Sequence, residues 1–177
     1  MLYITYFVHG TTTDNEHDLC MGWAPGQLSE LGKRQAKDLG EQVDASQFAV
    51  MFCSDLQRAV DSAELGFGGM LKIIQDQRLR ECNYGDLTQR SEDLVDYAKH
   101  IAEPFPNGES LHDVEQRMRE FLEMLNTGYA DKHVALMAHK APQLALEVLL
   151  NGKTWEQAIT EDWRKKKAWQ PGWSYLF

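Results

Sequence analysis

Basic charge is in short supply in this sequence: 18 lysine and arginine residues stand against 27 aspartate and glutamate residues, for a formal net charge of −9. No basic stripe runs along the chain to meet a phosphate backbone, which argues against a nucleic-acid binder. An anionic small molecule would need a local positive pocket instead. Cysteine is scarce as well. Cys20, Cys53 and Cys82 are odd in number and form no C-x-x-C, so neither a disulfide framework nor a zinc site is expected, and a reducing cytoplasm fits best. Long apolar runs are missing: the stretch from Leu2 to Val8 is too short for a spanning helix and lacks the charged flank of a signal peptide. No membrane association is expected. Neither G-x-G-x-x-G nor a Walker loop occurs, which leaves an oxidoreductase or nucleotide binder without support. Metal-ligand spacings, internal repeats, low-complexity tracts and linkers are absent too.

What is present suits a single domain spanning 1–177, since 43% of 177 residues are hydrophobic, enough for a proper core. Apolar runs of strand length alternate with segments of helical period, the pattern of βα units and a mainly parallel sheet in a three-layer α/β/α fold. Strands are expected at 2–8, 48–53, 71–74 and 133–138, with a last one in Trp173-Ser174-Tyr175-Leu176-Phe177. A loop from Gly10 to Gln27 precedes a helix with Leu31, Leu39 and Val43 on one side. Ser54 and Gln57 have the spacing of a capping box, predicting a helix with Leu56, Ala59, Val60 and Ala63 as its apolar face. The section from Asp76 to Gly108 reads as a small insertion with one helix starting near Ser91. Ser110 opens the clearest amphipathic helix, with Leu111, Val114, Met118, Phe121, Leu122 and Leu125 on one stripe. Another helix carries Ala141, Leu144, Ala145, Val148 and Leu149, and the last, capped by Thr154 and Gln157, carries Trp155, Ile159 and Trp163.

Three polar residues share one topological address, because His9, Ser54 and His139 each follow an expected strand directly. In an open α/β sheet the ligand crevice lies outside the carboxyl ends of the strands. Each residue alone is weak evidence; three at one edge are a stronger signal. Arg58 and Lys140 add a second clue, each sitting in the first turn of an expected helix. A cation there is unfavourable by roughly 0.3–1 kcal/mol unless an anion is nearby, and helix-end N–H groups are themselves donors for phosphate or sulfate. Two solvated side chains are the alternative.

Taken in order, the motifs resemble the histidine phosphatase superfamily, the phosphoglycerate-mutase-like fold, along nearly the whole chain. They run through His9-Gly10 with Thr12 and Asn15, Gly22, Leu28-Ser29-Glu30-Leu31-Gly32 with Gln35-Ala36, and Ser54-Asp55-Leu56-Gln57-Arg58-Ala59. Leu79-Arg80-Glu81 with Tyr84-Gly85, Pro106-Asn107-Gly108-Glu109-Ser110 with Arg117, and Ala138-His139 complete the set. The resemblance implies a metal-independent phosphomonoester hydrolase without a cofactor, acting on a small phosphorylated metabolite. In it His9 attacks phosphorus to form a phosphohistidine. Arg58 and His139 hold the phosphoryl oxygens, Glu81 serves as general acid and then base, and Thr12 and Asn15 donate loop hydrogen bonds. The attacking imidazole must be neutral, and a bond from its other ring nitrogen, to the backbone of the Gly10 loop, would orient it.

The family pattern is Arg-His-Gly, whereas this chain reads Val8-His9-Gly10. An aliphatic side chain cannot reproduce the bidentate grip of an arginine on a phosphoryl group. Either the chain is a weakened or non-catalytic phospho-ligand-binding relative, or another cation stands in. Lys140, where the family usually has glycine, is the expected substitute as a point charge. The run Arg164-Lys165-Lys166-Lys167 reads as a solvated helix end. A phosphoglycerate-mutase-type phosphotransferase is the other alternative, disfavoured by the compact length. Arg78, Arg80 and Arg90 in the middle section are candidates for a second acid group, or for surface ion pairs. Cys82 is expected to be packed, and Trp23 to anchor its loop or to stack on a ligand. The assembly state is open, a homodimer included.

Overall fold

The computed structural model describes residues 1–177. Its centre is a five-stranded sheet in the order β3-β2-β4-β1-β5, formed by β1 (Tyr3–Val8), β2 (Val50–Cys53), β3 (Ile73–Gln75), β4 (His133–Ala138) and β5 (Trp173–Leu176). All pairings are parallel except that of β5, which runs antiparallel along the edge of β1. The helices are α1 (Glu30–Gln42), α2 (Gln57–Phe67), α3 (Leu111–Gly128), α4 (Lys140–Leu149) and α5 (Trp155–Thr160).

Strand β4 shows why the sequence makes three layers. It is apolar without a break from Val134 to Ala138 and every one of those residues is buried, as expected of a parallel strand covered on both faces. Val134, Leu136 and Ala138 face a core shared with Leu111, Met118 and Phe121 of α3, Leu144 of α4 and Trp155 of α5. Ala135 and Met137 face the opposite core, with Leu39 of α1 and Ala63 and Phe67 of α2. The helices following β1 and β4 therefore leave the sheet on opposite faces. Adjacent parallel strands whose connections diverge in this way open a crevice at their carboxyl ends.

Caps explain most helix starts. Ser110 and Asp113 form a reciprocal capping box on α3, as Thr154 and Gln157 do on α5, and the stripe from Leu111 to Leu125 is buried as expected. Three local expectations are corrected. Ser54 does not cap a helix at Gln57: α2 starts at Gln57 with Leu56 at its N-cap, and the Ser54 hydroxyl accepts the Leu56 N–H at 3.2 Å. No α-helix starts near Ser91, where short 3-10 turns cover Glu92–Leu94 and Tyr97–His100. Leu31 points outward, 43% exposed, and α1 buries Gly32, Ala36 and Leu39 instead.

Candidate active site

The register of β1 against β4 brings the two histidines together. Val8 pairs with Ala138, so the next residue on each strand, His9 and His139, emerges at the same level. The His9 N–H donates to the Ala138 carbonyl at 3.1 Å, and the two imidazole centroids lie 5.0 Å apart. Behind His9 the chain must pass close to α1. A Cβ on Gly10 would meet the Gly32 carbonyl oxygen at 2.3 Å, and one on Gly32 the Thr11 oxygen at 1.9 Å, so only a pair of glycines permits the approach. The Gly10 N–H also donates to the Ser62 hydroxyl of α2 at 3.0 Å, fixing the loop from a second side.

His9 has an orienting bond of the expected kind. Its Nδ1 lies 2.7 Å from the Gly10 carbonyl oxygen, which accepts a proton on Nδ1 and leaves the Nε2 lone pair unprotonated. The residue is half-buried at the recess, and burial followed by the Arg58 charge pushes its pKa down to about 3. His139 is buried, and burial, Arg58 and His9 hold its pKa well below the ordinary histidine range. Both of its ring nitrogens lack a hydrogen-bond partner. Its backbone is fixed by Tyr6, whose hydroxyl donates to the His139 carbonyl at 2.6 Å and accepts the His139 N–H at 2.9 Å.

Glu81 comes from the long connection after β3 but is built into the start of α4. One carboxylate oxygen accepts the N–H groups of Cys82 (2.8 Å) and Ala141 (2.9 Å), and the other that of Lys140 (3.1 Å). A carboxylate at a helix N-terminus satisfies donors that would otherwise lack partners. Around it, Arg117 of α3 donates to the carbonyls of Arg78 (2.6 Å) and Glu81 (3.0 Å) while pairing with Glu109 at 3.0 Å. Trp23 donates its indole N–H to the Glu81 carbonyl at 2.7 Å, tying the Gly10–Gln27 loop to the same residue.

His9, His139, Glu81, Asn15 and Lys140 all line one recess of about 350 Å³. Thr12 and Asn15 are reciprocally bonded: each backbone N–H donates to the other's side-chain oxygen at 3.0 Å. Thr12 is buried and does not reach the recess wall. Arg58 is buried behind the wall, donating to the carbonyls of Ala24 and Gly22, both at 2.8 Å, with its Nε lacking a partner. Lys140 lies 3.8 Å from buried Asp162 and 4.9 Å above the Tyr97 ring. Ser54, the third strand-end residue, is consumed by its own turn.

Of the middle arginines, Arg78 pairs with Asp76 at 2.6 Å and Arg80 with Asp55 at 2.6 Å, so both act as ion-pair partners. Cys82 is fully buried, and burial followed by the Glu81 charge raises its thiol pKa. One residue was missed in the sequence. Arg164, read there as part of a solvated run, lines the recess with the two histidines. The overlooked signal is Asp162 two positions earlier, a spacing repeated at Asp76 and Arg78, where the aspartate likewise binds the arginine's backbone N–H and its guanidinium. No three or more His, Cys, Asp or Glu side chains converge as a metal-binding group, and no helix is long and apolar enough to cross a membrane.

The same architecture recurs in solved structures. YhfR of Bacillus stearothermophilus superposes with a TM-score of 0.79 at 25% identity, over 89% of this chain and 84% of that one. A mycobacterial glucosyl-3-phosphoglycerate phosphatase gives a TM-score of 0.78 at 26% identity, over 89% and 86%. Among sequence relatives, the 2,3-bisphosphoglycerate-dependent phosphoglycerate mutase of Methylorubrum extorquens (strain PA1) is 30% identical over 165 residues, covering 82% of this chain and 77% of the relative. The uncharacterized phosphatase PhoE of Bacillus subtilis (strain 168) is 31% identical over 147 residues, covering 81% and 75%. The relatives thus include both mutases and phosphatases. The profile of the histidine phosphatase superfamily (branch 1) matches residues 6–173, and the chain belongs to that superfamily.

Proposed function

We propose that this chain is a phosphomonoester hydrolase acting on a small phosphorylated metabolite through a phosphohistidine on His9. The observation that carries the reading is the pairing of His9 and His139 at 5.0 Å in one recess, with the His9 Nδ1 bound to the Gly10 carbonyl and Nε2 left free to attack. In the first step the Nε2 lone pair attacks phosphorus, the ester P–O bond breaks, and the leaving oxygen takes the proton of the Glu81 carboxyl group. In the second, water attacks the phosphohistidine, its proton goes to the Glu81 carboxylate, and the P–N bond breaks to release inorganic phosphate. His139 and the Asn15 amide serve the phosphoryl oxygens, Arg58 acts on them through its charge from behind the wall, Thr12 fixes the Asn15 loop, and Lys140 adds positive charge at the rim. The scheme requires no metal or cofactor. Hydrolysis is favoured over mutase chemistry because Arg78 and Arg80, two of the candidates for a second acid group, are engaged by Asp76 and Asp55.

A binding-only relative is the second reading, supported by Val8, which offers no donor, and by the engagement of both Arg58 Nη groups with loop carbonyls. Rapid quenching with a generic phosphomonoester separates the two. An acid-labile, alkali-stable phosphoryl adduct on the wild type that disappears in His9→Ala is expected. No adduct and no turnover above His9→Ala across a broad substrate panel would leave the binding reading standing.

A further inference from the structure

We propose that Arg164 is the group that grips the phosphoryl oxygens from the side of the recess where Val8 offers no donor; this role rests on the hydrolase reading above. Val8 and Arg164 both line the recess that holds His9 and His139, yet they arrive from opposite ends of the chain. The guanidinium is held rather than loose. Nη1 donates to Asp162 Oδ1 at 3.0 Å, Nη2 donates to Gln143 Oε1 at 2.9 Å, and the group lies 4.4 Å from the centroid of the Trp163 ring. Both anchors are buried. Gln143 lies in the first turn of α4, whose N-cap is His139, and the guanidinium it tethers lines the same recess as that histidine. Its oxygen also accepts the Trp163 indole N–H at 3.1 Å, which fixes the turn carrying Arg164.

A guanidinium has five N–H donors. Two are used in these tethers, leaving the remainder for a ligand with planar, bidentate geometry. A single Asp162 carboxylate stands between Arg164 at 3.0 Å and Lys140 at 3.8 Å, so the two cations share one acidic partner. Glu81 and Glu92 are the acidic groups facing the same recess, and Glu81 is turned toward three backbone N–H groups rather than toward either cation. Arg164 is therefore presented by a rigid clamp, whereas the Lys140 ammonium is a flexible point charge shared between Asp162 and the Tyr97 face.

The test is calorimetric titration of inorganic phosphate into the full chain and into Arg164→Ala, Arg164→Lys, Lys140→Ala and Lys166→Ala, followed by kcat and KM with a phosphomonoester. Arg164→Ala is expected to weaken phosphate binding by about tenfold to a hundredfold, and Arg164→Lys to restore part of it. Lys166→Ala, at an exposed position, should stay within about twofold, as expected for a screened surface charge. KM should rise and kcat fall in Arg164→Ala, because the grip tightens in the transition state. If Arg164→Ala does not fold, Arg164→Gln, which keeps size and loses charge, replaces it. Phosphate affinity in a folded Arg164 variant equal to that of Lys166→Ala overturns the proposal. So does a larger loss in Lys140→Ala. Arg164-dependent phosphate binding without any His9 adduct would leave this assignment standing and remove the hydrolase reading. Adduct formation with unchanged phosphate binding in Arg164→Ala would do the reverse, and a wild type that binds no phosphate would remove the Arg164 assignment while leaving the hydrolase reading to the His9 adduct.

Discussion

His9 shows how one side chain is prepared by its surroundings. With its pKa pushed down to about 3 by burial and Arg58, the imidazole stays neutral in the folded protein at pH values where an unfolded histidine, near 6.5, takes a proton. The unfolded state thus binds more protons between these values, and stability falls as pH drops through that window. His9→Asn is expected to lose less stability than wild type between pH 7 and pH 4.5 in urea melts. A residual slope from His139, shifted in the same direction, should remain. Parallel curves for the two proteins would show that His9 is not held neutral. Glu81 has a structural and a proposed chemical duty, and Glu81→Gln separates them. Replacing an oxygen that accepts the Lys140 N–H by an amide NH2 should cost about 1–3 kcal/mol of stability. Turnover of an alkyl phosphate, whose leaving oxygen needs a proton, should fall by about 10²–10⁴. A nitrophenyl phosphate should lose much less; equal losses for both esters would take the acid role away from Glu81.

At the level of elements, close backbone approach decides how α1 and α2 sit beneath the site. A Cβ on Gly40 of α1 would come within 2.0 Å of the Gly66 carbonyl oxygen of α2. Gly40→Ala is therefore expected to destabilise by about 1–3 kcal/mol through forced backbone shifts. At Gly128, near the end of α3, nothing lies within 4 Å of the added carbon, and alanine should be neutral or stabilising by up to about 1 kcal/mol. Thermal melts of the two variants should move in opposite directions, and a shared sign would refute the packing argument. The contact was not visible in the sequence, where Gly40 and Gly66 sit inside helical stretches. Amphipathic stripes and caps, by contrast, were legible at Ser110 and Thr154, because there the cap and the helix it starts are local. Ser54 and Gln57 match the same spacing without forming a box. Leu56 has extended backbone dihedrals, so the helix starts only at Gln57, and the Ser54 hydroxyl meets a nearer N–H.

Across the whole molecule, the C-terminal segment reaches back to the first strand. Strand β5 covers the edge of β1, Trp173 stacks on Trp163 with centroids 4.7 Å apart, and the Tyr175 hydroxyl donates to Glu147 at 2.7 Å. Removing residues 169–177 would expose the β1 edge and release the turn that carries Arg164. The truncated chain is expected to melt earlier and to shift toward larger species in size-exclusion chromatography, as unpaired strand edges do. An unchanged melting temperature and elution position would show that the segment is dispensable. On the other side of the site, the Arg117–Glu109 pair fastens the backbone of Glu81 to α3, so the acid is placed by a helix distant from the histidines in sequence.

The sequence alone determined the layered α/β fold, the strand-end address of His9 and His139, and the donor-free side chain of Val8 beside His9, because periodicity and motif order are local properties of the chain. Lys140 and Arg164 could not be ranked in the same way. Which cation is clamped and which is held only loosely depends on Asp162 and Gln143 arriving from different elements. Only tertiary structure decided that the register of β1 against β4 sets two imidazoles 5.0 Å apart, and that a turn near the end of the chain brings a guanidinium to the recess they share.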